Sequence, residues 1–406
     1  MSANPVNSWD TLVLAITEST LGTTPTPGST AAWAGYAIEQ INSSLGPAEV
    51  GVIRSKQDRG LGRAMQNGWV EGRVMPIEWS LDSSMKSRAA VDTVPQLVAL
   101  FKSAGLTCTA NAATSYTMAP STTPIESSDF AGASLVRFEG QGLACYLAET
   151  LRGCVTRALR FEGGGGELLA KFSGVGMGKT TATSQAGIQG SLDSVSFALA
   201  GTTSLTITAE ESYRLGLGYY LCESEIIKVT ACTPGGTSAT VTRGELGSTA
   251  VSHSSKPLVP YRPPSPTFTG NPISEAVSTV TIDSQAVRCR NFSIDFTTGM
   301  DLLEPETGAR YSQGAKYLRH DTKLRCQLVL SGNQVSLLGK STARPTVAVS
   351  IVQGTGTGSI FTFAASYCEV VSFTPPDTAG DIAVVDVELR VRETSTGAAP
   401  WTITLT

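Results

Sequence analysis

The sequence is short of charge, of histidine and of residues that could build a catalytic centre. Charged residues make up 16% of the chain, against about a quarter in an average globular protein. The only histidines are His253 and His320. A Ser–His–Asp triad, a Cys–His pair or a histidine-rich zinc site would need one of them, and neither lies near a nucleophile elbow. We therefore expect no enzyme, no cofactor and no metal site, and we predict that both histidines lie on the surface.

Specific nucleic-acid binding, secretion and membrane insertion are also disfavoured. The formal net charge is −4, whereas nucleic-acid-binding proteins derive affinity from Lys and Arg side chains that neutralise phosphates. The eight cysteines include no Cys-x-x-Cys pair, so reduced and mostly buried thiols are predicted. The N-terminal segment has no basic start and no apolar run long enough to span a bilayer. We expect a protein that accumulates in the cytoplasm, has no membrane partner, and could still let nucleic acid slide past it.

Two motifs resemble catalytic sites but lack essential parts. The segment SGVGMGKT at 173–180 nearly spells a phosphate-binding P-loop, but Ser173 replaces the first glycine and no apolar helix follows. A glycine-rich exit from a strand is the better interpretation. Asp386 and Glu388 stand two residues apart, as carboxylates of a glycosidase could, yet exposed charges on a strand are far more common.

What the chain does contain indicates β structure. Glycine is abundant, with 41 residues, and Ser and Thr are frequent throughout, which is typical of strands joined by many turns. At 406 residues, two or three domains are expected. The low charge leaves two readings open: other subunits cover much of the surface, or the chain is an uncharged monomer.

Residues 75–106 contain the one convincing amphipathic helix. Ile77, Trp79 and Leu81 alternate with polar residues, which predicts a strand with one buried face. Apolar residues then recur at helical spacing from Val94 to Ala104, after Asp92 or Thr93 as a cap and Pro95 in the first turn. The pattern predicts a helix that ends at Gly105 and covers a β-sandwich.

Period-2 alternation predicts strands on both sides of this helix. They lie at 71–81, 134–139, 155–162, 167–173, 191–208, 226–229, 239–241, 292–296, 324–330 and 385–391. We predict an N-terminal arm at 1–30, a first domain at 31–210, an inserted β-module with a proline-rich linker at 211–266, and a second domain at 267–406. A weak similarity between 155–164 and 287–299 favours an internal duplication.

A basic stretch interrupted by glycines is the strongest charge feature of the sequence. It includes Arg54, Lys56, Arg59 and Arg63. One reading is a solvated hairpin loop. The other is a flexible loop that reaches a neighbouring subunit and pairs with its carboxylates, since glycines permit such reach.

Residues 69–106 also resemble a known family. The order WVEGRVMPIEWSLDSSMKS, then VPQLVALFKSAGL, then TSYTMAPS resembles the major tail tube proteins of long-tailed (siphovirus-type) bacteriophages. The segment LRGCVTRALRFEGGGGELLAKFSG at 151–174 is similar to a strand pair of that family. ESEIIKV at 223–229 and TVTRGELGSTAVSH at 240–253 resemble a small β-module that recurs as an insertion in phage virion proteins. The second half departs more from the family, and a second tube-like domain there is an inference.

The resemblance implies a mainly β fold, with two tail-tube-like β-sandwich or barrel domains, a flanking helix and a small inserted β-module on the exterior. It implies a non-enzymatic structural virion protein that polymerises as stacked rings into the phage tail tube, the conduit for ejection of genome DNA. Its partners would be other copies of itself, tail proteins at the tube ends, and DNA that passes without specific binding. A two-domain chain would form trimeric, pseudo-hexameric rings, assembled in the host cytoplasm and located in the virion tail.

Two further expectations complete the interpretation. Acidic side chains facing the channel would repel DNA, and Glu162, Glu167 and Asp295 are lumen-facing candidates because they are charged residues on the wet faces of paired strands. The alternative function, from a different class, is a tail-tip or fibre adhesin whose inserted module binds a host cell-surface glycan.

Overall fold

The structure is a computed structural model of the chain. It describes residues 11–38, 41–46, 50–54, 69–74, 76–86, 95–121, 131–141, 144–163, 166–178, 188–264, 271–274, 278–303, 314–317, 320–330, 332–343, 345–374, 377–379, 382–393 and 398–406. Strands dominate these residues and the helices are short, which confirms the prediction of a mainly β fold.

The first half of the described chain contains the following strands. They are β1 (Thr11–Thr17), β2 (Ala37–Ile38), β3 (Asn42–Leu45), β4 (Val50–Arg54), β5 (Trp69–Val74), β6 (Ile77–Ser84), β7 (Leu106–Asn111), β8 (Ser115–Pro120), β9 (Ala133–Gln141), β10 (Ala144–Gly163), β11 (Leu169–Gly176), β12 (Ile188–Gly190), β13 (Leu192–Phe197) and β14 (Ser204–Thr206). The helices of this half are α1 (Thr30–Ala34) and α2 (Val98–Ser103).

The remaining elements follow from residue 209 onward. The strands are β15 (Gly218–Cys222), β16 (Glu225–Cys232), β17 (Ser238–Thr242), β18 (His253–Pro260), β19 (Ser278–Ile282), β20 (Gln285–Val287), β21 (Cys289–Thr297), β22 (Met300–Leu302), β23 (Ala315–Tyr317), β24 (Asp321–Val329), β25 (Thr346–Gln353), β26 (Phe361–Phe373), β27 (Asp377–Ala379), β28 (Ile382–Val391) and β29 (Thr402–Leu405). The helices are α3 (Ala209–Ser212) and α4 (Gly332–Ala343).

A long antiparallel sheet, here called the eight-stranded sheet, organises the molecule. Its strands pair in the order β3, β6, β11, β10, β21, β24, β28 and β26. An opposing layer contains β20, β19, β25, β29, β8 and β7, and β26 belongs to both layers because it also pairs with β25 and β29. The shared strand bends the two layers into a nearly closed, barrel-like sheet around one core.

The alternation of the sequence determines which side chains enter this core. The buried faces of β21, β24 and β28 are those predicted, and they comprise Phe292, Ile294, Phe296, Leu324, Cys326, Leu328, Val385, Val387, Leu389 and Val391. Two predicted strands are interrupted. The strand predicted at 71–81 is β5 followed by β6, with Pro76 between them, since proline cannot donate to the ladder. The strand predicted at 191–208 is β13 followed by β14.

Helix α2 lies against the core, as predicted, but it is shorter than the predicted 94–104. Phe101 is fully buried, and its ring centroid lies 6.1 Å from that of Phe161 and 5.4 Å from that of Phe172. Gly105 ends the helical segment with a φ of 75°, a conformation that glycine adopts without strain. Residues 92 and 93, the predicted caps, lie outside the described residues.

The chain path of the eight-stranded sheet occurs twice. In the first unit, β3 pairs with β6 around the hairpin β4–β5. Helix α2, the additional pair β7–β8 and then the pair β9–β10 follow, and β11 joins β6 to β10. In the second unit, β21 pairs with β24 around the hairpin β22–β23, α4 and the pair β25–β26 follow, and β28 joins β24 to β26. In this repeat β10 corresponds to β26. The similarity between 155–164 and 287–299 therefore linked the wrong strands, since β10 and β21 are neighbours that pair.

The two units align residue by residue. Leu81 of β6 and Leu324 of β24 are buried at matching positions, and their partners on the next strand are Phe172 and Leu389. The strands after those correspond in turn: Leu159 of β10 lies opposite Phe172, and Val370 of β26 lies opposite Leu389.

The inserted module is a separate six-stranded sheet in the order β13, β18, β15, β16, β17, β14. It has its own core, which includes Phe197, Tyr220 and Ile227. The sheet begins at Leu192, so it includes a segment that the sequence assigned to the first domain. Pro257 and Pro260 lie within β18 rather than in a linker. A second cluster, which includes Phe138 and Tyr261, joins the module to the barrel.

The predicted N-terminal arm is partly integral to the fold. Residues 11–17 form β1, which pairs with β9 over its whole length and has a buried centre. The buried Glu18 carboxylate accepts hydrogen bonds from the Gly22 amide (2.7 Å), the Gly153 amide (3.0 Å) and the Ser134 hydroxyl (2.5 Å). These bonds hold the turn after β1 against β9 and β10, so the arm prediction is wrong for the described residues from 11 onward.

Candidate functional site

The solvent side of the eight-stranded sheet is lined with charges of both signs. One row crosses it from strand to strand: Asp82, Lys171, Arg160, Asp295, Lys323, Arg390 and Glu369. The next row on this face contains Glu162, Ser293, Arg325, Glu388 and Ser372. We call this surface the charged face. It exists because each strand alternates an apolar residue toward the core with a polar one toward solvent.

The charges of this face form ion pairs within a strand and across neighbouring strands. Arg160 Nε lies 2.8 Å from Glu162 Oε1 and 3.2 Å from Asp295 Oδ1, and Lys171 Nζ lies 2.6 Å from Glu162 Oε2. Arg325 contacts Asp295 at 3.5 Å and Glu388 at 3.1 Å. These side chains are partly exposed, so each pair contributes little to stability, but together they fix the pattern of charge on the face.

The three lumen-facing candidates lie near one another. Glu162 and Asp295 are both on the charged face, on the adjacent strands β10 and β21. Glu167 lies just before β11 and accepts a hydrogen bond from the Ser84 hydroxyl at 2.7 Å. That these acidic side chains face a lumen stays a prediction. Glu162 and Asp295 are ion-paired, because Arg160 on β10, Lys171 on β11 and Arg325 on β24 place cations on the same face.

Both ends of the eight-stranded sheet are open edges in the described part of the chain. The strand β3 pairs with β6 on one side, and residues 370–373 of β26 pair with β28 on one side; no described strand pairs with the opposite edge of either. Large apolar side chains are exposed beside both edges, with Ile41 at 49% and Val371 at 46%. An open edge with exposed apolar residues is a template for pairing with another chain.

The junction between the two units shows how such edges pair. Strands β10 and β21 are antiparallel and in register from the pair Ala158–Thr297 to the pair Gly163–Phe292. Arg160 faces Asp295 within this register, and the two form an ion pair. In the order of the sheet, the junction therefore joins β10, the last strand of the first unit, to β21, the first strand of the second unit.

The basic stretch lies only partly within the described residues. Arg54 is the last residue of β4, which pairs with β5 to form a hairpin between β3 and β6. Lys56, Arg59 and Arg63 lie outside the described residues, so their proposed pairing with a neighbouring subunit stays a prediction.

The module contains a buried charged cluster that the sequence did not reveal. His253, predicted to be a surface residue, is buried in β18, with its ring nitrogens 2.9 Å from a Glu223 oxygen and 2.8 Å from a Glu225 oxygen. Arg243 donates two hydrogen bonds to the buried Glu225 at 2.6 and 2.7 Å, and its guanidinium lies 4.1 Å from the Phe197 ring centroid. The misleading signal was the Thr- and Ser-rich context of His253, because a sequence pattern does not show which loop supplies buried partners.

These contacts decide the charge of Glu225. Burial raises the pKa of this carboxyl group, but hydrogen bonds from Arg243, from the Val251 and Gly244 amides and from His253 outweigh burial and lower the pKa to about 2. Glu225 is therefore ionised, and an ionised carboxylate can only accept hydrogen bonds. The buried polar groups of this cluster all have hydrogen-bond partners. We therefore interpret the cluster as a structural element that stabilises the module.

His320 is also less exposed than predicted. Its side chain is 12% exposed and stacks obliquely near Phe296, with ring centroids 6.0 Å apart. Asp386 and Glu388 lie on the charged face, where the Gln327 side chain donates to Asp386 and Arg325 donates to Glu388. Neither feature forms a catalytic arrangement.

A cleft of about 400 Å³ separates the module from the barrel. Residues 22–26, the strands β9 and β10 and the module strands β15 and β16 line it. Arg152 and Lys228 are its two cations, Thr150 and Thr230 contribute hydroxyl groups, and Tyr219 forms part of its wall. Its described lining contains no carboxylate, which sets it apart from the charged face.

Within the described residues, no group of three or more His, Cys, Asp and Glu side chains has metal-binding geometry, and no helix has the length and apolar character that a membrane span requires. Compared with known proteins, the chain matches no family model and no curated sequence.

Proposed function

We propose that the protein is a structural virion protein, the major tail tube protein of a long-tailed phage, which assembles as stacked rings into a conduit for genome DNA. The repeated unit of the eight-stranded sheet carries this proposal. Each chain joins two units through β10 and β21, and presents β3 and β26 as open edges. If β26 of one copy pairs with β3 of the next as β10 pairs with β21, the contact is head-to-tail, and such a contact generates a ring when the rotation between copies closes.

The internal junction also predicts the register between copies. Alignment of the two units places Ser372 at the position of Arg160, because Lys171 lies opposite Arg160 and the matching Glu388 lies opposite Ser372. The same alignment places Ser44 at the position of Asp295. In a ring, Ser372 of one copy therefore faces Ser44 of the next.

The dimensions of such a ring suit a DNA conduit. Three copies, each with eight strands in the sheet, would give a barrel of 24 strands with the charged face inside. With strands about 4.8 Å apart and tilted by about 40°, opposite backbones would be about 48 Å apart. Barrels of about 16–18 strands already enclose an aqueous channel, and a barrel of this size would enclose a wider one.

The charged face explains passage without binding. Phosphate binding depends on Lys and Arg side chains that release counterions from DNA. On this face Arg160, Lys171 and Arg325 already contact carboxylates. A lining with paired charges would neither hold the phosphates nor depend on acidic repulsion, which differs from the expectation drawn from the sequence.

Electron microscopy and native mass spectrometry of the purified protein test the proposal. We expect tubes of stacked rings in the microscope and three copies in each released ring. Rings of six copies would contradict the trimer, and a protein that stays monomeric at high concentration would contradict the tube.

A cysteine pair tests the register. We expect the variant Ser44→Cys/Ser372→Cys to form disulfides between copies and to end at three linked chains on a non-reducing gel, because facing Cβ atoms in antiparallel strands are about 4.5–5.5 Å apart. The pair Ser43→Cys/Ser372→Cys is the control, since a shift by one residue puts the side chains on opposite faces. Equal cross-linking in both variants would contradict the register.

The adhesin alternative keeps one supporting observation, the cleft between the module and the barrel. Its volume, two cations and threonine hydroxyls suit an anionic saccharide. Discrete trimers with affinity for cell-wall glycan, without tubes in the microscope, would favour this function over the tail tube.

A further inference from the structure

Strand β26 contains a β-bulge at its open edge. Val370 and Ser372 pair with consecutive residues of β28, Leu389 and Glu388. Strand β26 therefore has one extra residue, Val371, which is 46% exposed. Ser372 is exposed as well, whereas consecutive residues of a regular strand point to opposite faces. We call this feature the Val371 bulge.

The positions of the apolar residues explain the bulge. Val370 is fully buried, and Phe373 packs against the main core. These two residues are three positions apart, whereas a regular strand returns to the same face after two. One extra residue between them lets both face the core. On β10 the matching residues Leu159 and Phe161 are buried and two positions apart, and the pairing with β21 is regular there.

The bulge also changes which backbone groups reach the open edge. The Tyr367 carbonyl accepts a hydrogen bond from the Arg392 amide at 2.8 Å, and the Thr374 amide donates to a carbonyl of β28 at 2.9 Å. Backbone groups of a regular antiparallel strand alternate between its two neighbours, so residues directed to one side are an even number apart. Tyr367 and Thr374 are seven apart. The groups directed toward the open edge therefore belong to Val370 and Phe373, three residues apart instead of two.

The internal junction lacks this obstacle. The bulge of β10 lies between Thr156 and Ala158, at the start of the residues that pair with β21, and it does not interrupt that pairing. The side chain of its extra residue, Arg157, contacts Asp301 of β22 at 2.6 Å. The junction within the chain thus pairs through a regular strand, whereas the edge of β26 that is open to other chains is interrupted.

From this difference we propose that the Val371 bulge restrains pairing at the open edge of β26 and so delays the first contact between copies. A regular strand such as β3 presents its donors and acceptors two residues apart and cannot match all the groups of β26 across the bulge. Bulges protect open edges of natural sheets from indiscriminate pairing. The inference rests on the proposed ring and adds to it a device that controls when rings form.

Deletion of Val371 tests the restraint. Without this residue Val370 and Phe373 stand two positions apart, as Leu159 and Phe161 do on β10, so the strand should become regular. We expect the lag before ring formation, followed by light scattering after a jump in protein concentration, to shorten by about tenfold or more, because a regular uncharged edge pairs readily. An unchanged or longer lag overturns the proposal.

The matched control is Val371→Ser. It removes the exposed apolar side chain but keeps the extra residue, so we expect the same lag as in the unchanged protein. If Val371→Ser shortens the lag as much as the deletion does, the side chain rather than the bulge controls pairing, and the proposal is wrong.

Hydrogen exchange provides a second test that does not depend on the folding of the deletion variant. In rings of the unchanged protein, we expect only one of the two amides at the open edge, Val370 or Phe373, to become protected relative to the monomer, because the spacing across the bulge prevents both from pairing. Equal protection of both amides would show that the bulge does not disturb the contact, and would overturn the proposal.

The pair Ser44→Cys/Ser372→Cys separates failure of the restraint from failure of the ring. If that pair cross-links into rings but deletion of Val371 leaves the lag unchanged, the ring stands and the restraint is wrong. If the pair does not cross-link and no rings form with or without Val371, the ring itself is wrong, and the restraint falls with it.

Discussion

Glu225 shows how much one buried carboxylate can organise. It accepts hydrogen bonds from Arg243, Gly244, Val251 and His253, which come from the end of β17, the following loop and β18. A buried charge is tolerable only when partners of this kind replace the water it loses. Glu225 therefore ties the loop between β17 and β18 to the strand β18 and to the residues that follow β17.

Substitution Glu225→Gln should destabilise the module strongly. It would leave Arg243, whose side chain is 4% exposed, as a buried cation without its counterion, and breaking such a pair costs about 3–5 kcal/mol. Chemical denaturation followed by fluorescence would measure the change. The control is Glu223→Gln, which alters an exposed carboxylate that contacts the same histidine. A similar loss in both variants would contradict the special role of Glu225.

The same carboxylate predicts the response to acid. Its pKa is about 2 in the folded protein and 4.5 for an unperturbed glutamate, so the folded state binds this proton less readily than the unfolded chain. The stability that it provides is complete above pH 4.5 and is lost as the pH falls toward 2. We expect the unfolding free energy of Glu225→Gln to depend less on pH in this window than that of the unchanged protein. Parallel pH curves would contradict the prediction.

At the scale of elements, α2 gains its stability from packing. It spans only six residues, which is too short for an isolated helix in water, and three of its apolar side chains are buried: Ala99, Leu100 and Phe101. Ser103 donates to the Leu100 carbonyl at 2.9 Å and lies 2.7 Å from the Thr156 hydroxyl of β10. Both apolar contacts and hydrogen bonds therefore hold the helix against the strands.

Substitution Phe101→Ala should test this dependence. It removes a fully buried ring between Phe161 and Phe172, and such a loss typically costs about 3–5 kcal/mol. Val98→Ala, on the same helix but only partly buried, is the matched control and should cost much less. Thermal unfolding of both variants would show the difference, and equal shifts would mean that helix propensity rather than packing dominates.

Much of the element pattern could be predicted from the sequence, and particular residues show why the rest could not. Alternation identified the buried face of β21 because Phe292, Ile294 and Phe296 are strongly apolar. It did not identify β1 as a sheet strand, because 12–16 is a continuous apolar run that resembles several structures. The burial of His253 depends on Glu223 and Glu225, which lie far from it in sequence. The ion pairing of Glu162 likewise depends on a strand register that alternation does not encode.

At the scale of the whole molecule, the two junctions of the proposed ring differ in chemistry. The internal junction contains the ion pair Arg160–Asp295, whereas the edges that would meet between copies carry uncharged residues, Asn42, Ser43, Ser44 and Leu45 on β3 and Val370, Val371, Ser372 and Phe373 on β26. Backbone pairing of uncharged edges is little affected by salt.

Ring formation should therefore be nearly insensitive to ionic strength. We expect the association constant between copies to change by less than about threefold between low salt and about 0.5 M salt, since the screening length falls without removing any charge pair at the contact. Analytical ultracentrifugation at both salt concentrations would measure it. A steep fall with salt would instead indicate that the basic stretch around Arg54 dominates the contact between copies.

The covalent link between two units has a consequence for the accuracy of assembly. A ring built from single units can err by gaining or losing one unit, which changes the curvature at each contact only slightly. Because β10 and β21 join two units within every chain, a proposed ring of six units could change size only in steps of two. The nearest incorrect rings would have four or eight units, and the larger distortion they require would make a miscounted ring, and hence a channel of the wrong bore, a rarer product.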